Sequence, residues 1–398
     1  MLTKRGWGLL VTALVLFLVG WIIGTDELHM LALTLLVLTL GVVVYLGLRT
    51  VGVQVDRTLH PPRVHAGHAS RVELLLRNTG ATTPVLSVRD PFHRGWRWAR
   101  FLVPPLPHGA TTRAAYRLPT DKRGVYDIGP LEVSMSDPFG IATRRFTSAG
   151  VTQLTVYPRI HNLRSLPTSQ GQDPHSGAQR PRSLLGTGDE FYALRQYEVG
   201  DDIRRVHWPS TARIDDLMIR QDEMPWQTRV TILLDVRSSV HTEDTLELAV
   251  SAAASVHDAG RRQQSLIRIV DTGGTDSGFA AGTAHEEAIL EHLATVGMSR
   301  EDRVAGVIAT LRRAGNGGAL AIVTTDRAPA ADLRALAGLR GRYGTVVLVL
   351  IDQSAVEGGP ETMSLDLPVV TALVRVTANA PFPVAWESAM AAFAMRAR

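Results

Sequence analysis

Arg229-Val230-Thr231-Ile232-Leu233-Leu234-Asp235-Val236-Arg237-Ser238-Ser239 is the stretch on which the fold turns. Val230–Leu234 is a short, nearly continuous apolar run, the mark of a parallel strand buried on both faces. It ends on an acidic residue. Downstream, the pattern alternates. Leu246–Ala259 is helical, Ser265–Val270 extended, Glu286–Val296 and Arg303–Arg313 helical. Leu320–Thr324 is a strand, Asp332–Leu339 a helix, Thr345–Ile351 a strand, Val369–Val376 a last strand and Val384–Arg396 a closing helix. Such alternation implies a mostly parallel, doubly wound α/β sheet over 229–398, with helices on both faces. Function in these sheets sits at the carboxyl ends of the strands. Asp235 and Asp326 both fall there.

The Asp235-Val236-Arg237-Ser238-Ser239 loop and the later Thr324-Thr325-Asp326 resemble the von Willebrand factor A fold. In that fold an Asp-x-Ser-x-Ser loop, a threonine and a later aspartate hold a divalent cation, usually Mg2+. By that resemblance the metal ligands would be Asp235, Ser239 and Asp326. Arg237 stands where the first serine would be, and no residue matches the threonine convincingly. Arginine has no acceptor and cannot ligate a metal. The expectation is a degenerate site: Arg237 points inward and replaces the ion by pairing with Asp235 or Asp326, or it points outward and a weak Mg2+ site survives. No other cofactor is expected.

Upstream lies a dense charged segment, 188–228, opening GDEFYALRQYEVGDDIRRVHWPSTARIDDLMIRQDE from Gly188. Its signs are interleaved, so Arg–carboxylate forks can satisfy the segment internally. A structural ion-pair lattice is favoured over a catalytic carboxylate pair aided by His207. Gly200-Asp201-Asp202 reads as a turn starting a short helix with an aspartate cap. Trp208 is then expected to anchor that helix in a core. Ser165–Gly188 is rich in Ser, Gly, Pro and Gln, and 161–187 reads as a linker or long loop.

Between 51 and 160 the texture is β-rich. The runs Arg71–Arg77, Val85–Val88, Thr111–Leu118, Leu131–Ser134 and Gln153–Tyr157 are separated by turn signals such as Asp121-Lys122-Arg123-Gly124 and Asp137-Pro138-Phe139-Gly140. That spacing suggests a β-sandwich-like domain. His60, His65 and His68 lie within nine residues but beside Pro61-Pro62 and Gly67, and read as exposed loop histidines rather than a metal site. Trp96 and Trp98, with Phe92 and Phe101, read as packing aromatics.

Residues 1–50 hold two apolar runs, Trp7–Ile23 and Leu28–Leu48, of 17 and 21 residues. A bilayer crossing needs about 20. Gly24-Thr25-Asp26-Glu27 joins them, so a transmembrane helical hairpin is expected rather than a cleaved signal peptide. Lys4 and Arg5 precede the first run, and Arg49, Arg57 and Arg63 follow the second. The joining loop is acidic. Flanking cations therefore place both termini and the soluble body in the cytoplasm, at the inner (plasma) membrane.

Composition narrows the functions. The 398 residues are 45% hydrophobic and 20% charged, which excludes a disordered chain. With no cysteine there is no disulfide framework, Cys–zinc site or cysteine nucleophile. The net charge is +4, only Lys4 and Lys122 are lysines, and no run of five like charges occurs, so no nucleic-acid partner is expected. No phosphate loop, HExxH or GxSxG motif is present.

The order of parts is similar to the bacterial family called domain of unknown function fifty-eight. Gly188, Glu190, Phe191, Leu194, Arg195, Tyr197, Gly200, Asp201, Asp202, Arg204, Trp208, Ala212 and Arg213 carry the resemblance. Arg123-Gly124-Val125-Tyr126, Asp137-Pro138-Phe139-Gly140 and Val156-Tyr157-Pro158-Arg159 add to it. Gln196, His207 and Pro209 depart from it. The resemblance implies a membrane-anchored protein without established catalysis, partnered by a MoxR-type AAA+ ATPase. The expectation is an interaction scaffold, not an enzyme, docking through the Asp235, Arg237, Ser239 and Asp326 edge. The alternatives are a metal-dependent hydrolase at that edge and an envelope-facing binding protein. The sequence leaves the oligomeric state open.

Overall fold

The computed structural model describes residues 2–48, 52–92, 97–164, 166, 191–197, 206–214, 216–222, 228–314, 318–357 and 370–396. The chain divides into two compact units, the first comprising Met1–Arg159 with Leu290–Val296 and the second Ile160–Ile289 with Gly297–Arg398.

In the first unit, α1 (Lys4–Ile23) and α2 (Asp26–Leu48) form a hairpin. Thr3 caps α1 by accepting the Gly6 N–H at 3.2 Å. Gly24 takes a left-handed φ of 77°, which lets α1 end and the chain reverse. Both helices are long and apolar enough to cross a membrane. Most of their large apolar side chains, Trp7, Trp21, Ile22 and Leu40 among them, are exposed.

Ten strands follow: β1 Val53–His60, β2 Arg63–His65, β3 Ser70–Asn78, β4 Leu86–Phe92, β5 Arg97–Val103, β6 Thr111–Leu118, β7 Gly124–Ile128, β8 Leu131–Ser136, β9 Thr143–Ala149 and β10 Thr152–Tyr157. They form a β1-β3-β6 sheet and a larger β2-β10-β7-β4-β8-β9 sheet with β5 on β4. All pairs but β2–β10 are antiparallel. Val72, Leu74 and Leu76 of one sheet share a core with Leu86, Val88, Val133, Met135 and Leu154 of the other. In β3, Val72, Leu74 and Leu76 face the core and Leu75 faces outward. The core is bridged by a buried polar network. Arg57 on β1 donates through Nε (3.1 Å) and Nη2 (2.5 Å) to Asp90 on β4, and Tyr116 on β6 donates to Asp90 at 2.7 Å.

The histidines differ in part from expectation. His60 ends β1 and stands 3.8 Å from Glu73. His65 lies on β2 with Nδ1 2.8 Å from the Pro158 carbonyl. Phe92 stacks on Tyr116 and Phe101 packs against the core, whereas Trp98 is 51% exposed. Trp96 lies outside the described residues.

In the second unit, β11 (Phe191–Gln196) pairs antiparallel with β12 (Met218–Asp222), and α3 (Trp208–Ile214) lies between them in sequence. The expected linker begins as packed chain. Leu163 and Leu166 are buried, and Trp386 Nε1 donates to the Arg164 carbonyl at 3.2 Å. Residues 165 and 167–190 lie outside the described residues.

The remaining elements are β13 Arg229–Leu234, α4 Glu243–Arg262, β14 Leu266–Asp271, α5 Thr283–Thr295, α6 Val304–Ala314, β15 Ala319–Thr325, α7 Ala330–Ala337, β16 Thr345–Ile351, α8 Ser354–Glu357, β17 Ala372–Val376 and α9 Phe382–Arg396. The five strands form one parallel sheet in the order β14-β13-β15-β16-β17. Its strands are apolar on both faces because helices cover both. α4 packs on the face of Val230 and Ile267, near enough that a Cβ at Gly260 would meet Ile267 at 3.4 Å. On the opposite face, Leu233, Val270, Ile322 and Leu348 pack with α6 and α7 through Val307, Leu311, Leu333 and Leu336. A Thr242–Thr245 capping box starts α4, with Glu243 and Asp244 in its first turn.

Candidate functional site

The carboxyl edge of the parallel sheet carries a row of aspartates. Asp271 ends β14, Asp235 follows β13, Asp326 follows β15 and Asp352 follows β16. Asp271, Asp235 and Asp352 are buried, and Asp326 is half-buried.

Asp235 sits at the centre. Its backbone N–H donates to the Val323 carbonyl at 2.9 Å, which continues the β13–β15 ladder past the strand end. Arg237, two residues on, folds back over it. Arg237 Nε donates to Asp235 Oδ1 at 3.0 Å and Nη2 to Oδ2 at 2.8 Å. The Arg237 backbone N–H adds a 3.2 Å bond to Oδ1. Thr272 donates to Oδ1 at 3.1 Å and Thr324 to Oδ2 at 2.9 Å. The outer nitrogen, Arg237 Nη1, reaches Asp332 at 2.8 Å and Asp302 at 3.2 Å. Arg237 is buried, Asp332 partly exposed and Asp302 64% exposed.

The surrounding backbone holds this arrangement. Ser238 N–H donates to the Ser299 carbonyl at 2.8 Å, and Ser299 N–H to Val236 at 2.7 Å. These bonds tie the 297–302 loop, and so Asp302, to the Arg237 turn. Thr325 Oγ1 donates to the Val240 carbonyl at 2.7 Å and closes the other side. Asp332 arrives on the first turn of α7.

Electrostatics follow the geometry. Burial pushes the Asp235 carboxyl up, but the hydrogen bonds and charge of Arg237 and the Thr324 hydroxyl outweigh it, and the net shift is down. Burial opposes the Arg237 charge, yet Asp235, Asp332 and Asp302 raise its basicity further. Burial pushes the pKa of His241, nearby, down against the pull of Asp235.

The cation implied by the sequence resemblance does not fit these residues. An ionised carboxylate offers about four acceptor positions. Asp235 already receives five donors, and the guanidinium stands where a divalent ion would approach. Ser239 is exposed. Among the described residues no group of three or more His, Asp and Glu is arranged around a metal position. Arg237 points inward and bonds Asp235. Its further partners are Asp302 and Asp332, not Asp326. Sequence reasoning missed Thr272, Thr324, Asp302 and Asp332. Thr272 and Thr324 follow or end strands that were legible, and that strand-end position was the available signal.

The charged segment is only partly described. Gly188, Glu190, Gly200, Asp201, Asp202 and Arg204 lie outside the described residues, and the expected ion-pair lattice and aspartate cap fall there. Arg195 is on β11, in register with Ile219. Tyr197 N–H donates to the Leu217 carbonyl at 2.8 Å. Trp208 corrects an expectation: it opens α3 but is 63% exposed and anchors no core. Hydrogen bonds hold the helix instead. His207 N–H donates to the Met218 carbonyl at 2.8 Å, Met218 N–H to Thr211 Oγ1 at 3.0 Å, and His207 Nδ1 meets Ser210 Oγ at 2.8 Å. Arg213 is exposed on the last turn.

Fold and site together define a mixed helix–sheet chain in which two apolar helices precede a two-sheet β unit and a parallel α/β sheet edged with aspartates. Residues 193–359 match the family described as "Protein of unknown function DUF58". The match runs from within β11 through α8, and so takes in Asp235, Arg237, Ser239 and Asp326. Uncharacterized proteins of Mycobacterium tuberculosis and Mycobacterium bovis are each 26% identical over 186 residues, covering 44% of this chain. The chain spans 58% of the length of these relatives. Among solved structures, the CARDB domain of a Pyrococcus furiosus protein is similar at 13% identity over 27% of this chain and 87% of its own, with a TM-score of 0.21.

Proposed function

We propose that this protein is a membrane-tethered interaction scaffold whose α/β domain, a relative of the von Willebrand factor A fold, docks a partner through its aspartate edge. The observation that carries the reading is the Arg237 cluster. One guanidinium is shared among Asp235, Asp302 and Asp332, so the edge is preorganised and keeps net negative charge. Such a surface suits a partner with a basic face. A MoxR-type AAA+ ATPase, the partner implied by the sequence resemblance, is the proposed occupant. The helix hairpin would place both termini and the body on the cytosolic side of the inner membrane, where ATP is available.

A metal-dependent hydrolase is the weaker reading, because Asp235 has no acceptor position left for a cation or a substrate proton. The test is co-purification from detergent-solubilised membranes. The expected result is recovery of an AAA+ ATPase with the native chain and its loss on Asp302→Arg and Asp326→Ala. No ATPase in either preparation would overturn the partner. A C-terminal green fluorescent fusion tests the orientation: fluorescence supports the cytosolic body, and a dark fusion with an active secreted-phosphatase signal supports the envelope-facing alternative.

A further inference from the structure

The outer face of the larger β sheet holds a second cluster with a different charge. Strand register puts Arg89 on β4 directly between Arg100 on β5 and Glu132 on β8. One row nearer the helix hairpin, Ser87 lies between Leu102 and Ser134, and Ser134 faces Arg145 on β9. Ser87, Arg89, Trp98, Arg100, Glu132, Ser134 and Arg145 line a cleft of about 200 Å³, and Leu102 stands beside it. That is several times the ~30 Å³ share of one water, enough for a polyatomic ligand.

Three observations give the ligand a charge. Arg89 and Arg100 are like charges directly opposite each other, a pairing that destabilises a sheet unless something offsets it. Glu132 offsets only one of the three arginines. The Arg89 guanidinium stacks on the Trp98 ring, its Cζ 4.5 Å from the centroid, which fixes the plane of its donors. Arg89 Nε is buried with no acceptor among the described residues. The cleft is thus a preorganised, donor-rich hole with a net charge of +2 from Arg89, Arg100, Arg145 and Glu132.

The location gives the ligand a source. The turn joining β8 to β9, Asp137-Pro138-Phe139-Gly140, is bonded to the start of α1. Thr3 Oγ1 donates to the Gly140 carbonyl at 2.6 Å and Thr3 N–H to Ile141 at 2.9 Å. Arg144, beside it, donates to the Gly47 carbonyl at the end of α2 at 3.1 Å. The sheet end that carries this turn therefore adjoins both helix ends. Arg145 is one residue from Arg144, and the Arg89 row lies two residues beyond Arg145, about 10 Å in all at 3.3 Å per residue. Exposed apolar side chains stand on the same end: Leu102 (68%), Val85 and Phe139 (64%).

We propose that this cleft binds the phosphate headgroup of an anionic phospholipid, with Arg89, Arg100 and Arg145 holding the phosphate and Leu102 and Val85 meeting the glycerol and acyl base. The proposal rests on the reading of α1 and α2 as membrane-spanning. Charge-assisted arginine–phosphate bonds are the strong class of hydrogen bond, and basic residues at a membrane surface select anionic lipid.

The test uses the full chain in a neutral detergent, titrated calorimetrically with dioctanoyl phosphatidylglycerol, dioctanoyl phosphatidylcholine and inorganic phosphate. Phosphatidylglycerol should bind most tightly. The exposed-site double variant Arg100→Gln/Arg145→Gln should weaken it at least tenfold with a thermal midpoint no lower than that of the native chain, since it relieves the Arg89–Arg100 repulsion, and Glu132→Gln should tighten it. Equal affinity for inorganic phosphate would make this a soluble-anion site and overturn the lipid assignment. Absent phosphatidylglycerol binding, or binding indifferent to all three substitutions, would overturn the cleft itself. Alkaline carbonate extraction of native membranes separately tests the anchor: release of the chain would fail the membrane reading whatever the titration gives.

Discussion

Arg237 and Asp235 are joined as a two-pronged ion pair between residues only two apart, with Nε on one carboxylate oxygen at 3.0 Å and Nη2 on the other at 2.8 Å. Both side chains are buried. Removing one partner of such a pair leaves an uncompensated charge, which costs about 3–5 kcal/mol. Arg237→Ala should therefore lower the urea unfolding free energy of the α/β domain by about that amount. Arg237→Lys should not restore it, because an ammonium cannot span both oxygens. A loss below about 1 kcal/mol would mean that the pair is dispensable to the fold.

Exchanging the guanidinium for a hydroxyl tests whether it takes the place of an ion. Arg237→Ser frees both oxygens of Asp235 and leaves Thr272 and Thr324 as neutral neighbours. Oxygen donors of this kind suit Mg2+ or Mn2+. The variant should be less stable than the native chain and should regain part of that stability with millimolar Mg2+, while the native chain should give no titration heat. Saturable Mg2+ binding by the native chain, lost in Asp235→Ala, would show that Arg237 does not exclude the ion.

What the sequence made legible here follows from the range of each interaction. Asp235 and Arg237 are local, so their pairing could be anticipated from a five-residue loop. Asp302 and Asp332 reach Arg237 across 65 and 95 residues, and only the packed sheet brings them there. The parallel strands were legible because burial on both faces makes them apolar throughout, as in Thr345–Ile351. β1, β2, β5, β7 and β9 were not. Arg97-Trp98-Ala99-Arg100 and Thr143-Arg144-Arg145 carry charge on an exposed face, and β7 opens inside a turn signal at Gly124. Trp208 misled because a large aromatic in a charged segment resembles an anchor, whereas backbone and hydroxyl hydrogen bonds secure α3.

The β unit has its own buried polar link. Tyr116 on β6 donates to Asp90 at 2.7 Å, and Arg57 on β1 of the same sheet grips that carboxylate, which β4 brings from the opposite sheet. Tyr116→Phe removes one donor and leaves the ion pair. The expected cost is about 1.5–3 kcal/mol for a bond to a charged group, read from the denaturant midpoint. Asp90→Ala should cost more, because it strands the buried Arg57. Equal losses in the two variants would show that the hydroxyl, not the ion pair, holds the sheets together.

His257, inside α4, gives the α/β domain an acid limit. Its side chain is buried, and neither ring nitrogen has a partner among the described residues. Burial pushes its pKa down from 6.5 to about 4, with Asp258 opposing and Arg261 and His285 adding to the shift. The unfolded chain therefore binds this proton first as pH falls. Stability is intact above about pH 6.5, declines between there and pH 4, and is lower by about 3 kcal/mol at the bottom of that window. Thermal unfolding at intervals from pH 7.5 to 4.5 should show the midpoint falling through this range. His257→Leu, which keeps an apolar side chain on the buried face of α4, should flatten the fall. A native-like decline in that variant would assign the acid sensitivity to another group.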